Sequence, residues 1–97
     1  MRVVAVRNLR GFWEVHPDCE QPLRAWHQEA RAAQWRTPAE VKARYPAASV
    51  LRDNRVVFNI AGNKYRLVVR INYDFGVMYV RFIGSHAEYD AIDARRI

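Results

Sequence analysis

The sequence predicts an α+β fold: a small antiparallel sheet with helices packed on one face. Three observations point there. Apolar residues recur at helical spacing through the first half of the chain, and the period drops to two from Val50 onward. Between the two regimes stands the clearest helix start, Thr37-Pro38-Ala39-Glu40, with a Thr cap, Pro at the first helical position and Glu at the third. Helices followed by consecutive strands mark α+β, whereas βαβ units would alternate.

Taken in order, residues 1–6 are valine-rich and read as an edge strand. Asn8 is placed to cap a helix with Leu9, Phe12, Trp13 and His16 on one face, ended by Pro17. Asp18 with Gln21 resembles a capping box for a second helix, in which Leu23, Trp26, Ala30 and Ala33 recur as far as about Trp35. The helix opened by Thr37 should stop at Tyr45, before Pro46. Strands are expected over residues 55–60, 65–73 and 77–84, joined by turns at 61–64 and 74–76 into a meander. Ser85 and Glu88 form a capping box for a last helix reaching roughly Ala94.

The pleat sorts the strand residues by face. Val56, Phe58, Ile60, Tyr65, Leu67, Val69, Ile71, Met78, Val80 and Phe82 form the set the helices would cover. Opposite them lie Arg55, Asn59, Arg66, Arg70, Asn72, Tyr79 and Arg81. With the second turn on Phe75 and Gly76, Arg70 stands beside Arg81, and the first hairpin places Asn59 beside Arg66. Like charges directly opposite destabilise a sheet unless an anion lies between them, so the arrangement suggests a phosphate site. A three-residue turn would instead move Arg81 to the other face, and Phe is a poor residue for a two-residue loop.

Ninety-seven residues make one domain, since a split would leave neither half enough chain for a core. Sixteen Lys and Arg against ten Asp and Glu give a net charge of +6, which favours polyanionic partners, nucleic acid or an acidic protein. Only Lys42 and Lys64 are lysines; arginine's planar fork suits phosphate. The single cysteine, Cys19, cannot close an internal disulfide, and no apolar stretch approaches the ~20 residues of a membrane span, so a cytoplasmic protein is expected. His16, Cys19 and His27 match no zinc spacing and lack a fourth ligand; no metal or cofactor is expected.

Two strings carry a family resemblance: Val57-Phe58-Asn59-Ile60-Ala61-Gly62-Asn63-Lys64-Tyr65-Arg66-Leu67-Val68, and Ser85-His86-Ala87-Glu88-Tyr89-Asp90. Together with the length and the helix-first order, they make the chain resemble the HigB-type toxins of the RelE superfamily of messenger RNA interferases. The resemblance implies a RelE-like sheet and a type II toxin–antitoxin pair. It also implies a HigA-type helix-turn-helix antitoxin that carries the toxin to operator DNA, and cleavage of mRNA, often on the ribosome.

The residues' own chemistry agrees. Metal-free RNA cleavage uses the substrate's 2′-hydroxyl as nucleophile, so the protein need only remove that proton, stabilise the phosphorane and protonate the departing 5′-oxygen. Arginine keeps its proton near neutral pH, which makes Arg66, Arg70 and Arg81 phosphate clamps. His86 can transfer protons and is the expected general acid. Tyr89, three residues on, admits two readings, orienting the imidazole or stacking on a base against packing on the core. Lys64 either contacts phosphate or solvates its hairpin, and Arg55 and Asn59 are further candidate substrate contacts. No general base is identifiable: Lys64 would need a lowered pKa, and Glu88 or Asp90 would need to face the site. A non-catalytic RNA- or DNA-binding module acting in a repressor complex, or an adaptor for an acidic protein, would present the same basic sheet.

Overall fold

A computed structural model describes residues 1–97. The chain runs β1 (Arg2–Val4), α1 (Val6–Val15), α2 (Glu20–Ala32), α3 (Pro38–Arg44), β2 (Ser49–Val50), β3 (Arg55–Ile60), β4 (Tyr65–Asn72), β5 (Val77–Ser85) and α4 (His86–Asp90). The strands form one sheet in the order β1-β5-β4-β3-β2, antiparallel except that β1 runs parallel to β5. The fold is α+β. The valine-rich start is an edge strand, as its composition predicts, while the short β2 on the other edge escaped the sequence reading.

Helices α1, α2 and α3 bury Leu9, Trp13, Leu23, Trp26 and Val41 against Val56, Phe58, Leu67, Val69, Ile71 and Met78. Phe58 is the centre of this core. Trp26 and Tyr45 meet its ring edge-on at 5.4 and 5.1 Å, and Trp35 lies stacked at 6.5 Å. On the other face Val57, Val68 and Ala94 form a small second cluster, against which Leu51, Phe82, Tyr89 and Ile97 pack. The segment from His86 onward therefore returns over the face that α1 to α3 leave free.

Local signals held where nothing competed with them. Thr37 accepts from the Glu40 amide at 3.3 Å, and α3 stops before its cap, Tyr45. The Ser85–Glu88 capping box is complete. Three helix ends differ for tertiary reasons. Asn8 lies inside α1, whose cap position is Ala5 at φ 71°, because the chain turns sharply out of β1. Asp18 caps nothing; Pro17–Cys19 is a single 3-10 turn leading into α2. Ala33 turns extended and ends α2 early, which lets Trp35 fold back on Phe58 and Tyr45. Likewise α4 stops at Asp90, and the residues beyond it supply Ala94 and Ile97 to the second cluster.

The strand register corrects one expectation. The β4–β5 loop spans residues 73–76, with Asn72 opposite Val77, the Asn72 Oδ1 accepting from the Phe75 amide at 3.1 Å, and Gly76 at φ 65°. Arg70 consequently faces Tyr79 and not Arg81. Val69 pairs with Val80 and Val68 with Phe82, so Arg81 is the extra residue of a β-bulge. Beyond the bulge the faces exchange. Phe82, expected beneath the helices, packs on the second cluster, and Ile83 joins the main core instead.

Truncating the central ring tests this architecture. Phe58→Ala should cost about 3–5 kcal/mol, a large part of the ~5–15 kcal/mol that a small domain has. Urea unfolding reads it as a fall in midpoint at unchanged slope, and an unmoved midpoint would mean that the ring is not central to the core.

Candidate nucleic-acid interface

The face of the sheet that α1 to α3 leave free carries Arg66, Arg70 and Arg81. Asn59, Arg66 and Gly84 lie in one row across β3, β4 and β5. The expected Asn59–Arg66 pair is thus present. Arg66 is half-buried, and its Nη1 donates to the Asn63 and Tyr65 carbonyls at 2.9 and 3.3 Å; it has no carboxylate partner. A Cβ on Gly84 would lie 2.6 Å from the Phe82 ring and 3.3 Å from Glu88 Cβ, so glycine lets both approach beside Arg66.

His86 opens α4 at the same end of the sheet. Its backbone amide donates to the Lys64 carbonyl at 3.2 Å, which ties the start of α4 to the start of β4. The imidazole is half exposed, and its Nδ1 lies 2.9 Å from Asp90 Oδ2 one turn on. With Nδ1 engaged, Nε2 is the nitrogen left to exchange a proton. Asp90 is the residue the sequence reading undervalued: its four-residue spacing from His86 on a helix was the available signal. Glu88 is occupied, its carboxylate held below the usual range chiefly by accepting from the Ser85 amide.

Lys64 and Tyr65 both bind Asp18. The ammonium pairs with one carboxylate oxygen, and the Tyr65 hydroxyl donates to the other at 2.8 Å. The bond to Lys64 and then that to Tyr65 hold the Asp18 carboxyl below its ordinary range, and the bond to Asp18 holds Lys64 above its own. A lysine so held stays protonated, the opposite of what a general base requires.

Arg70 and Arg81 are exposed and line a cleft of about 580 Å³ near the β4–β5 turn, with Tyr79 and Asn72. Arg81 lies two residues beyond Tyr79, the partner of Arg70, and so stands diagonally across from Arg70 on the same face. This cleft is five residues along β4 from the Tyr65–Ser85 pair, roughly 16 Å at strand rise. Arg55 is placed elsewhere. It is buried, its Nε donates to the Ile97 carbonyl at 2.6 Å, and its guanidinium approaches Asp53, so it anchors the C-terminal segment instead of facing the surface. Tyr89 is half-buried against the second cluster. Of the residues weighed as metal ligands, Cys19 is buried, its thiol pushed up to about 11 by burial, and no group of three His, Cys, Asp or Glu side chains stands together.

The layout is a small α+β fold whose basic sheet face ends in a histidine-bearing helix. Residues 19–92 match the family described as HigB toxin, RelE-like toxic component of a toxin–antitoxin system. The chain belongs to that family, and so has an antitoxin as partner. It is 26% identical over 96 residues to the mRNA interferase toxin HigB of Escherichia coli (strain K12) and to the mRNA interferase HigB of Shigella flexneri, covering 97% of this chain and 92% of each relative. A HigB of Escherichia coli O6:H1 is 25% identical over 94 residues, or 95% of this chain and 91% of the relative. No helix is long and apolar enough to cross a membrane.

The Asp18 tie has a pH signature. Folding lowers the Asp18 pKa, so its contribution is full above the ordinary carboxylate value of ~3.9 and is lost as pH falls through the lower folded value. The stability gap between the parent and Asp18→Asn should stay constant from neutral pH to about 5 and narrow below about 4. Denaturant midpoints taken across that range measure it; a gap that widens in acid would contradict the assigned shift.

Proposed function

We propose that this whole chain is one toxin domain acting as a metal-independent endoribonuclease on mRNA. One observation carries the reading: Arg66, free of any carboxylate, stands beside Asn59 at the end of the sheet where His86 is oriented by Asp90. The mRNA interferase names of its relatives support the same chemistry. The 2′-hydroxyl gives its proton to water as its oxygen attacks the adjacent phosphorus, the P–O5′ bond breaks, and a 2′,3′-cyclic phosphate forms. Arg66 holds the phosphate and the charge that develops on it, and His86 protonates the departing 5′-oxygen. Arg70, Arg81 and Asn59 hold the strand on either side. Lys64 adds charge near the cut but does not act as base, while Arg55 and Tyr89 support the C-terminal segment and α4.

The partners follow from the same reading. The antitoxin is of the HigA helix-turn-helix type and brings the complex to operator DNA. The substrate is mRNA under translation on cytoplasmic ribosomes. Induction of the chain alone should arrest bacterial growth and shorten transcripts, and co-expression of the neighbouring antitoxin gene should relieve both. Normal growth at high soluble expression would count against the toxin.

Purified protein tests the chemistry. Cleavage of RNA, or of mRNA on intact ribosomes, should persist in EDTA and leave 2′,3′-cyclic or 3′-phosphate ends; a 3′-hydroxyl end would mean that water attacks instead. His86→Ala should keep RNA affinity and slow the chemical step by roughly 10²–10⁴-fold. Arg66→Lys should recover binding better than rate, since the two-pronged contact is gone. RNA binding that survives His86→Ala, with no cleavage by the parent, would make the protein a binding module.

A further inference from the structure

The cleft at the β4–β5 turn holds more than the two arginines. Asn54 lines it from the turn before β3, exposed and at φ 62°. This left-handed conformation is one that asparagine tolerates, and the Asn54 carbonyl is fixed by the Ile71 amide at 2.8 Å. Asn72 uses its Oδ1 on the Phe75 amide, which leaves its amide NH₂ free to donate. Tyr79 presents an aromatic ring 40% exposed. Tyr73 also borders the cleft, but its ring packs against the core under the helices and its hydroxyl is buried away from the opening. Two unpaired guanidiniums, one open ring face and two side-chain amides in one concavity are more than phosphate binding requires.

We propose that this cleft is a nucleotide subsite, in which Arg70 and Arg81 hold a phosphate, Tyr79 stacks on the base, and Asn54 and Asn72 hydrogen-bond its edge. The proposal rests on the reading of this face as the RNA surface and deepens it. Asp74, at the turn end of the same lining, sets the orientation. Its carboxylate repels phosphate toward the arginines and can accept from an exocyclic amine, so adenine, cytosine or guanine is favoured over uracil. The base held here is not at the scissile bond. The roughly 13 Å along β4 from Arg70 to Arg66, which holds the cut phosphate, spans at most about four nucleotides at the ~3.4 Å rise of a stacked strand. The subsite therefore reads a neighbour of the cut.

Two measurements separate the subsite from the cleavage itself. In the first, labelled protein is titrated with each nucleoside 5′-monophosphate and with inorganic phosphate while amide and aromatic resonances are followed. An amine-bearing nucleotide should move Asn54, Asn72 and Tyr79, whereas phosphate alone should move only the neighbourhood of Arg70 and Arg81. Tyr79→Leu should weaken the nucleotide roughly 5- to 150-fold, the range of one base–aromatic stack, and leave the phosphate response. In the second, cut ends from a randomised RNA pool are sequenced for the parent and for Asn54→Asp, which keeps a residue suited to φ 62° while exchanging donor for acceptor. The base preference should change at one position within about four nucleotides of the cut. Identical responses to nucleotide and phosphate, or a preference identical in parent and Asn54→Asp, would reduce the cleft to a plain anion site. A parent that binds the nucleotide but cuts no RNA would support the subsite and remove the ribonuclease reading instead.

Discussion

Strand β4 pairs on both sides with antiparallel neighbours, and its pleat decides which side chains are committed to burial and which meet solvent. Leu67, Val69 and Ile71 go under the helices, and Val68 under the C-terminal segment. That leaves Arg66 and Arg70 on the open face at a separation of four residues, about 13 Å. A one-residue slip would exchange the two sets and drive guanidiniums into the Phe58 core, so the apolar pattern that fixes the fold also fixes the arginines' positions. Position and charge here have a single cause.

The charge left on that face is a cost to the folded state. Arg55 and Arg70 sit directly opposite each other across β3 and β4, a pairing that is unfavourable unless one partner is neutralised. The fold neutralises Arg55 by burying it against Asp53 and the Ile97 carbonyl, and leaves Arg70 unpaired. Elsewhere on the molecule arginines are given partners: Arg24 pairs with Glu20 and Arg44 with Glu29. Arg66, Arg70 and Arg81 have no carboxylate partner on this face, so its positive charge is open to an anion.

How much of this was legible in the sequence divides along the range of the interaction. Short-range signals read correctly: the Thr37 cap, the Ser85–Glu88 box, and the first hairpin with its Asn59–Arg66 neighbours. Interactions reaching across the chain did not. Asp18 looked like a cap because nothing local shows that Lys64 and Tyr65, 46 and 47 residues on, will take its carboxylate. The bulge at Arg81 was hidden because alternation reads equally well with Phe82 or Ile83 facing inward; only the second cluster, built from Val57, Val68 and the C-terminal segment, chooses Phe82 for the outer side. Arg55 looked like a substrate contact for the same reason, since its occupant comes from 42 residues away.

The placement of His86 shows how a weak element can carry a precise group. Five residues of helix are too short to persist alone, because nucleation costs more than one turn of hydrogen bonds returns. Helix α4 is held from outside instead: the Ser85–Glu88 box closes its first turn, the Lys64 carbonyl receives the His86 amide, and Tyr89 packs against the sheet. The imidazole's position is therefore inherited from β4, the strand that also carries Arg66. In the proposed mechanism, phosphate clamp and proton donor are both positioned by one ladder, through Arg66 on β4 and the His86 amide bound to the Lys64 carbonyl.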